Sequence, residues 1–221
     1  MKIKDGTNFI GRGKPGPYIR AVEGAKEGLS GEQLDEKFFD RSPLEVAPEL
    51  LGKLLIRGDG SRQQWGRVVE TEAYCGPEDL AAHSARGLTP RTRVMFGPPA
   101  HIYVYLIYGI YHCLNFVCQP EGVPQAVLIR ALEPGPGVGR CAGPGLLCRA
   151  LGIDLALNGR PIQPPHLYLV DDGYSPVEIH QTPRIGVDYA GDWRGRPWRY
   201  CLNSPHLSRK LSLRDNSNPT I

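Results

Sequence analysis

The most constraining feature of the sequence is an uncharged run of 19 residues, from 100 to 118. Its length would allow a membrane-spanning helix, but its tyrosines, two histidines and an asparagine are poorly suited to lipid. The run is rich in β-branched and aromatic residues, and Tyr108-Gly109 divides it. This pattern predicts two strands, 101–107 and 110–117, joined by a tight turn. We therefore predict a β-hairpin with Tyr108 at its exposed tip, and no membrane span.

Local signals for helices, strands and turns divide the rest of the chain. The segment S-P-L-E at 42–45 is a capping box with proline at the first helical position, so a helix should run to about residue 51 and end at Gly52. For a chain of 221 residues we expect one domain over residues 36–215, preceded by a polar N-terminal arm over residues 1–35. We also predict helical segments at 80–84 and 144–151, a turn at 58–61, and strands at 53–57, 65–74, 126–131, 167–170, 177–180 and 199–202.

The distribution of charge says more than the net charge of +3. Arginine outnumbers lysine 19 to 7, and no lysine lies between Lys53 and Lys210. Between residues 84 and 119 the charged residues are Arg86, Arg91 and Arg93, with no acid. Because arginine is suited to bidentate phosphate contacts, this pattern favours a nucleic-acid partner, and we predict that these three residues contact its phosphate backbone.

Cysteine and glycine patterns argue against two other classes of site. The six cysteines contain no C-x-x-C pair and no zinc spacing, so we expect reduced thiols in a cytoplasmic protein, or a nuclear one if the source is eukaryotic. The segment P-G-P-G-V-G-R-C-A-G-P-G, residues 134–145, contains G-x-G spacings. It lacks the strand–turn–helix frame of a dinucleotide site, so no such cofactor is predicted.

The segment 68–84, V-V-E-T-E-A-Y-C-G-P-E-D-L-A-A-H-S, is the strongest candidate for chemistry. In a strand, the period of two places Glu70, Glu72 and Tyr74 on one face. Two like charges on one face can raise the pKa of one carboxyl, which is a common way to make a general base. The alternative is a solvated acidic face, and the spacing does not choose between the two glutamates. After Gly76-Pro77, the acids at 78–79 suggest the first turn of a helix.

The chain is similar to the alkyladenine (methylpurine, or 3-methyladenine) DNA glycosylase family between about residues 39 and 209. So long a colinear set of blocks is specific, although no single motif would be. The five densest blocks are S-P-L-E-V-A-P-E-L-L-G-K-L-L (42–55), V-V-E-T-E-A-Y-C-G-P-E-D-L-A-A-H-S (68–84), T-P-R-T-R-V-M-F-G-P-P-A-H-I-Y-V-Y-L-I-Y-G-I-Y-H-C-L-N (89–115), A-V-L-I-R-A-L-E-P (126–134) and G-P-G-L-L-C-R-A-L-G-I (143–153).

The resemblance implies both a fold and an activity. The fold would be α+β, a single mixed domain built on a curved antiparallel β-sheet, with surrounding helices and a protruding β-hairpin. The activity would be DNA repair by excision of alkylated or deaminated purines, which are flipped out of the duplex before the N-glycosidic bond is hydrolysed. By position, Glu72 resembles the catalytic general base, and Arg130 resembles the arginine beside the attacking water.

The resemblance also implies the residues that surround the base. Tyr74, His83 and Tyr105 resemble the walls of the pocket, Tyr108 the wedge that fills the vacated stack, and Asn115 the selectivity residue. Without the family, each also fits a structural role, such as a core tyrosine or a cap at the end of a hairpin. The chain departs from the family after residue 134, where only residues 135–140 stand in place of a longer arginine-rich segment.

Partners and alternatives follow from the same residues. We expect a monomer that binds double-stranded DNA containing damaged purines, with no cofactor and no metal. A zinc site made by Glu72, His83 and His101 has no supporting spacing. Without a lysine between residues 54 and 209 to form a Schiff base, the enzyme should be monofunctional. The main alternative is a non-catalytic protein that recognises damaged DNA on the same fold, and another is a hydrolase of free nucleosides.

Overall fold

One antiparallel sheet organises the part of the chain that the computed structural model describes, residues 19–21, 29–58 and 63–211. Its ten strands are β1 (Ile19–Ala21), β2 (Glu32–Leu34), β3 (Leu54–Arg57), β4 (Gln64–Tyr74), β5 (Ile102–Ile107), β6 (Tyr111–Cys118), β7 (Gln125–Pro134), β8 (Leu167–Asp171), β9 (His180–Thr182) and β10 (Arg199–Cys201). The order is β1-β2-β8-β3-β4-β7-β6-β5, with β10 beside β4 and β9. The sheet curls into a half-barrel, which confirms the predicted α+β class.

Strand β4 is the centre of the sheet, because both of its edges are covered. Strand β7 pairs along one edge, while β3 and then β10 pair along the other. The register with β7 shifts on either side of Glu70, which marks a β-bulge. The segment that carries Glu70 and Glu72 is thus enclosed by β7 and β10 instead of facing solvent.

In the described part of the chain, three α-helices cover the sheet: α1 (Glu36–Phe39), α2 (Pro43–Glu49) and α3 (Pro144–Ala150). Helix α2 packs against β4 and β7, and α3 against β6 and β7. The predicted capping box is present: Ser42 Oγ accepts from the amide of Leu44, and the Glu45 carboxylate accepts from the amide of Ser42. Gly52, at φ +88°, follows the helix as predicted, because that backbone conformation favours glycine.

The uncharged run forms the predicted hairpin. Strands β5 and β6 pair from Ile102 and Phe116 to Ile107 and Tyr111, with Tyr108 in the turn between them. Within the described part of the chain, no helix is long and apolar enough to cross a membrane. The period of two also holds: Leu114 and Phe116 lie in the main hydrophobic core, on the face opposite Asn115.

Several local predictions were wrong. The strand predicted at 177–180 lies at His180–Thr182, because its pairing with β10 fixes its position more strongly than its own apolar residues. The helical segment predicted at 80–84 is a turn followed by a 3₁₀ turn, His83–Arg86. Within the predicted polar arm, Glu32–Leu34 form β2, which pairs with β8. Most of the predicted turn at 58–61 lies outside the described residues, as does most of the arm.

All six cysteines are free. Cys75 is half-buried, and Cys113, Cys118, Cys141, Cys148 and Cys201 are buried. The prediction of unpaired thiols is confirmed. Burial raises the thiol pKa of these residues, that of Cys75 to about 12 and that of Cys141 to about 11. A raised thiol pKa disfavours the thiolate, which is the nucleophilic form of cysteine.

Candidate active site

The two glutamates of β4 lie on one face of the sheet and are completely buried. Glu70 and Glu72 each have a relative exposure of 0%. Both accept hydrogen bonds from the guanidinium of Arg130 on β7, from Nε to Glu70 and from Nη1 to Glu72, at 3.1 Å in each case. The predicted shared face is therefore confirmed, and the alternative of a solvated acidic surface is wrong.

Arg130 is held charged by these two carboxylates. Burial disfavours the cation, but the neighbouring charges of Glu72 and Glu70 more than compensate, so the pKa of Arg130 lies above its ordinary value. An ion pair of this kind costs free energy when one partner is removed, because a buried charge is left uncompensated. Arg130 thus serves both as a structural partner of Glu70 and as a cation beside Glu72.

Glu72 is oriented by three donors from three parts of the chain. Its Oε2 accepts from the hydroxyl of Tyr74 at 2.9 Å and from Arg130 at 3.1 Å. Its Oε1 accepts from the backbone amide of Ile185 at 2.8 Å. All three of these donor residues line the same cavity. The carboxylate therefore lies directly behind the cavity wall.

Glu70 has a different environment. Its carboxylate accepts from Arg199 Nε at 2.7 Å and from both the amide and the hydroxyl of Ser208 at 2.6 Å each, in addition to Arg130. Of these three partners, only Arg130 lines the cavity. Glu70 is thus saturated by donors on the side away from the cavity. The geometry favours Glu72 as the group that acts on a molecule in the cavity.

The cavity has a volume of about 710 Å³, which is in the usual range for a site that holds a small molecule or a nucleoside. Its walls combine aromatic residues with a few polar groups. The lining residues are Tyr74, Ala81, His83, Met95, Tyr103, Tyr105, Ile107, Tyr108, Tyr111, Cys113, Asn115, Ala126, Leu128, Arg130, Gly143, Pro144, Gly145, Leu146, Ile185, Gly186, Val187 and Tyr189. The structure thus brings together all seven residues predicted for the base pocket and its catalytic group, six in the lining and Glu72 directly behind it.

Aromatic rings form one end of the cavity. The His83 and Tyr105 rings are 4.5 Å apart in an edge-on arrangement, and His83 Nδ1 is 2.9 Å from the hydroxyl of Tyr103. Burial and then the positive charges of Arg91 and Arg86 lower the pKa of His83 to about 4. The imidazole is therefore neutral at neutral pH, which suits stacking and hydrogen bonding more than general acid catalysis.

Asn115 combines two predicted roles. Its Nδ2 donates to the backbone carbonyls of Tyr103 at 3.1 Å and Cys113 at 3.3 Å, which ties β5 to β6. The residue is buried, at 4% exposure, and it lines the cavity. A structural tie and a pocket contact are thus made by the same side chain.

Tyr108 occupies the tip of the hairpin, at the mouth of the cavity. It is 85% exposed, and its φ of +52° lies in the left-handed region that non-glycine residues rarely adopt. Strained backbone of this kind is found at functional sites more often than elsewhere. From this position the Tyr108 side chain projects into solvent, where it can contact a partner.

Comparison with known proteins identifies the family. A model of the family described as methylpurine-DNA glycosylase matches residues 37–206, which is more than half of the chain. The chain belongs to the methylpurine-DNA glycosylase family. Membership supports a DNA glycosylase for alkylated bases, a hydrolase that acts on N-glycosyl bonds.

Curated relatives agree with this assignment. A protein of Myxococcus xanthus is 50% identical over 181 residues, covering 80% of this chain and 93% of the relative. A protein of Legionella pneumophila (strain Lens) is 48% identical over 181 residues, covering 80% and 98%. One from Methanocella arvoryzae is 47% identical over 192 residues, covering 80% and 96%. Each carries the name "Putative 3-methyladenine DNA glycosylase".

In this member of the family, the three arginines predicted to contact DNA are exposed: Arg86, Arg91 and Arg93. Arg91 also lies over the ring of Tyr105 at 5.1 Å, and its Nη2 is 3.4 Å from the carbonyl oxygen of Leu106. Its charge is therefore close to the aromatic wall of the cavity. These positions leave all three guanidinium groups available to a polyanion.

A second buried ion pair was missed in the sequence. Asp79, predicted as part of a helical first turn, instead binds Arg184 through both carboxylate oxygens. Arg184 lies over the rings of Tyr74 at 4.9 Å and Trp198 at 5.0 Å, and it donates to the carbonyl of Ala73. It therefore supports the back of the cavity wall. Nothing local to Asp79 indicates a partner 105 positions away.

Three other residues of the site were also missed: Ile185, Arg199 and Ser208. Only the family match, which covers residues 37–206, could have pointed to Ile185 and Arg199. Any residue except proline can donate its backbone amide, so the identity of residue 185 does not reveal this contact.

Within residues 29–58 and 63–211, no group of three His, Cys, Asp or Glu side chains is arranged to hold a metal ion.

Proposed function

We propose that this protein flips an alkylated or deaminated purine out of double-stranded DNA and hydrolyses its N-glycosidic bond, with Glu72 activating the attacking water. The proposal rests chiefly on one observation. The donors that orient Glu72, namely Tyr74, Arg130 and Ile185, all line a cavity of nucleoside size with aromatic walls. A carboxylate held by three residues of the cavity wall lies next to the space that a flipped nucleoside and its attacking water would occupy.

Base flipping is supported by the burial of the Glu72 carboxylate, which has a relative exposure of 0%. A base inside the stack shields its glycosidic carbon, so an enzyme with a buried catalytic group must extrude the nucleotide. Extrusion costs a few kcal/mol of stacking, and a side chain that enters the gap offsets part of this cost. Tyr108, exposed at the mouth of the same cavity, would enter the gap, while Tyr74, His83 and Tyr105 would contact the extruded base.

The chemical step then follows from the charges around Glu72. The C1′–N bond breaks with its electron pair leaving on the base, and positive character develops on the sugar. The Glu72 carboxylate stabilises this positive charge and takes a proton from the water as the new C1′–O bond forms. Arg130 places a positive charge at 3.1 Å from this carboxylate. A base that carries a positive charge through alkylation leaves as a neutral molecule and needs no proton. A deaminated purine such as hypoxanthine leaves as an anion and takes up one proton from solvent, which balances the proton that the attacking water gives up.

Selectivity would depend on Asn115, which lies beside Cys113 on the pocket face of β6. Guanine differs from adenine and hypoxanthine by an exocyclic amine. A side chain packed against that position excludes guanine through steric conflict and through polar groups left unpaired. We propose that Asn115 is this side chain, and that the backbone ties of its amide keep it in place.

The enzyme would act as a monofunctional glycosylase and as a monomer. A lyase attacks C1′ with an amine, but no lysine lies between residues 54 and 209, and the cavity is lined by none. Arg86, Arg91 and Arg93 would contact the phosphate backbone, which predicts binding that weakens as salt concentration rises.

The decisive experiment uses duplexes that carry one hypoxanthine or one alkylated adenine. After incubation, alkali cleaves the strand wherever a base has been lost, and chromatography identifies the free base. We expect release from the lesion duplex, none from the undamaged duplex, and no covalent adduct with borohydride. Binding without release would instead indicate a protein that only recognises damage. A borohydride-trapped adduct would contradict water as the nucleophile.

A further inference from the structure

Residues 207–209 contact the buried charged cluster formed by Glu70, Glu72, Arg130 and Arg199, on its side away from the cavity. We call this segment the closing strap. Leu207 packs against the main hydrophobic core. Ser208 donates its amide and its hydroxyl to the two oxygens of Glu70, at 2.6 Å each. The carbonyl of Arg209 accepts from Arg199 Nη2 at 2.9 Å. The strap lies beyond residue 206, where the family match ends.

The strap is connected to Glu72 through a row of alternating buried charges. Glu72 binds Nη1 of Arg130, the Nε of Arg130 binds Glu70, and Glu70 binds Arg199. The Arg130 guanidinium is therefore held between two carboxylates, and its angle depends on where Glu70 lies. The Ser208 hydroxyl is also 3.4 Å from Arg130 Nε, so it contacts both members of the pair.

The position of Glu70 depends on the strap. Of the four hydrogen bonds that its carboxylate accepts, two come from Ser208. A buried carboxylate that loses donors must recover them from the cations that remain. The nearest are Arg130 and Arg199. Closer pairing of Glu70 with Arg130 would draw the guanidinium away from Glu72.

We propose that the closing strap is a positioning element, which fixes Arg130 through Glu70 and so sets the geometry of Glu72. This inference rests on the proposed function, and it adds that residues with no contact to the cavity control the rate of base release. Ser208 acts on the chemical step alone. In the proposed function, DNA binding depends on Tyr108, Arg86, Arg91 and Arg93, whereas the hydrogen bonds of Ser208 and Arg209 go to Glu70, Arg130 and Arg199.

The test compares four single variants of the full chain. Ser208→Ala removes the hydroxyl, Ser208→Pro removes the hydroxyl and the amide hydrogen, and Ser208→Thr keeps both. Ser204→Ala is the control. The Ser204 hydroxyl accepts from the amide of His206, two residues along the chain, and lies just before the closing strap. The measurements are the single-turnover rate of hypoxanthine release at saturating enzyme, the Kd for the same duplex, and the melting temperature.

We expect Ser208→Ala to slow base release by about 5- to 30-fold, as loss of one hydrogen bond to a charged group would allow. Ser208→Pro should slow it further, Ser208→Thr should restore it to within about 2-fold of wild type, and Kd should change by less than about 3-fold in all of them. If Ser208→Ala releases base at the wild-type rate, the proposal is overturned. A rate that falls only together with Kd and the melting temperature, without rescue by threonine, overturns it as well. Wild-type protein that releases no base overturns this inference and the proposed function together.

Discussion

Ile185 donates its backbone amide hydrogen to Oε1 of Glu72 at 2.8 Å, although the two residues are 113 positions apart. The other carboxylate oxygen of Glu72 is held by Tyr74 and Arg130. Each oxygen therefore has its own fixed donors, and the carboxylate cannot rotate freely. A general base needs this kind of fixed geometry, because proton transfer requires hydrogen-bond distance to the water.

Replacing each of the two glutamates by glutamine should separate their roles. Glu72→Gln should bind lesion DNA but release base about 10²- to 10⁴-fold more slowly, because a neutral amide can neither accept the proton nor stabilise the sugar cation. Glu70→Gln should still fold and should keep more activity. It should also lose about 3–5 kcal/mol of stability, because Arg130 and Arg199 lose a shared carboxylate.

Single-turnover rates, DNA binding and urea unfolding check this prediction. Base release by Glu72→Gln at a rate near that of wild type would remove Glu72 from the mechanism. A larger loss of activity in Glu70→Gln than in Glu72→Gln, at equal folded fraction, would reverse the two assignments.

Tyr108→Ala should leave stability within about 0.5 kcal/mol of wild type, because the side chain is almost fully exposed. Base release should fall about 5- to 150-fold for a stably paired lesion, if the ring supplies about 1–3 kcal/mol of stacking. The loss should be much smaller for a mismatched or single-stranded lesion, where unstacking costs least. Tyr108→Phe is the matched control, since it keeps the ring. Equal losses on both kinds of substrate would make Tyr108 a structural residue.

The features predictable from the sequence are those set by local spacing. The hairpin follows from a glycine between two β-forming runs, and the shared face of Glu70 and Glu72 follows from the period of two. The same local logic placed Asn115 on the face opposite Leu114. The residues around the base could be named only because the resemblance assigned a role to each position.

The features that could not be predicted depend on pairing between distant segments. Asp79 was predicted to lie in the first turn of a helix, because acidic residues after Gly-Pro favour that position. Instead, it forms a buried ion pair with Arg184. The bulge at Glu70 and the position of β9 are likewise set by neighbouring strands. Ser208 was missed because a single serine near the end of a chain carries no pattern.

Asn115→Ala and Asn115→Ser should widen the range of substrates towards guanine-type bases while retaining release of adenine-type bases. Both should lose some stability, because the carbonyls of Tyr103 and Cys113 lose a donor. Asn158→Ala is the control: Asn158 also ties β5, by accepting from the amide of Val104, but it does not line the cavity. Release of both base types should be measured for all three variants. Parallel loss of adenine and guanine activity in the Asn115 variants would make that residue purely structural.

His83 should titrate near pH 4 in the folded protein, as nitrogen chemical shifts of the imidazole can establish. The unfolded residue titrates near pH 6.5, so between these values the unfolded chain binds more protons and stability falls as the pH is lowered. Above about pH 6.5 this contribution is constant. His83→Gln should abolish this part of the pH dependence of unfolding. Arg91→Gln should raise the titration midpoint, and an unchanged midpoint would remove Arg91 as a cause.

The buried ion pair between Asp79 and Arg184 should contribute more to the free energy of unfolding than an exposed ion pair does. Asp79→Asn or Arg184→Met should each cost about 3–5 kcal/mol in urea unfolding, because a buried charge loses its partner. The double variant should cost less than the sum of the two. Glu49→Gln, which breaks a partly exposed pair with Arg41, should change stability by at most about 1 kcal/mol. Additive effects at Asp79 and Arg184 would mean that the two side chains are not energetically coupled.

Strand β10 and the residues after it reach Glu70 and Glu72 from the far end of the chain. During synthesis, Arg199 and Ser208 therefore emerge from the ribosome well after Glu70 and Arg130, so Glu70 acquires its last donors late. Until then, the hairpin with Tyr108 can form on its own, because its contacts are local. The hairpin that we propose to touch DNA can thus form before Glu72, the proposed general base, receives the amide of Ile185.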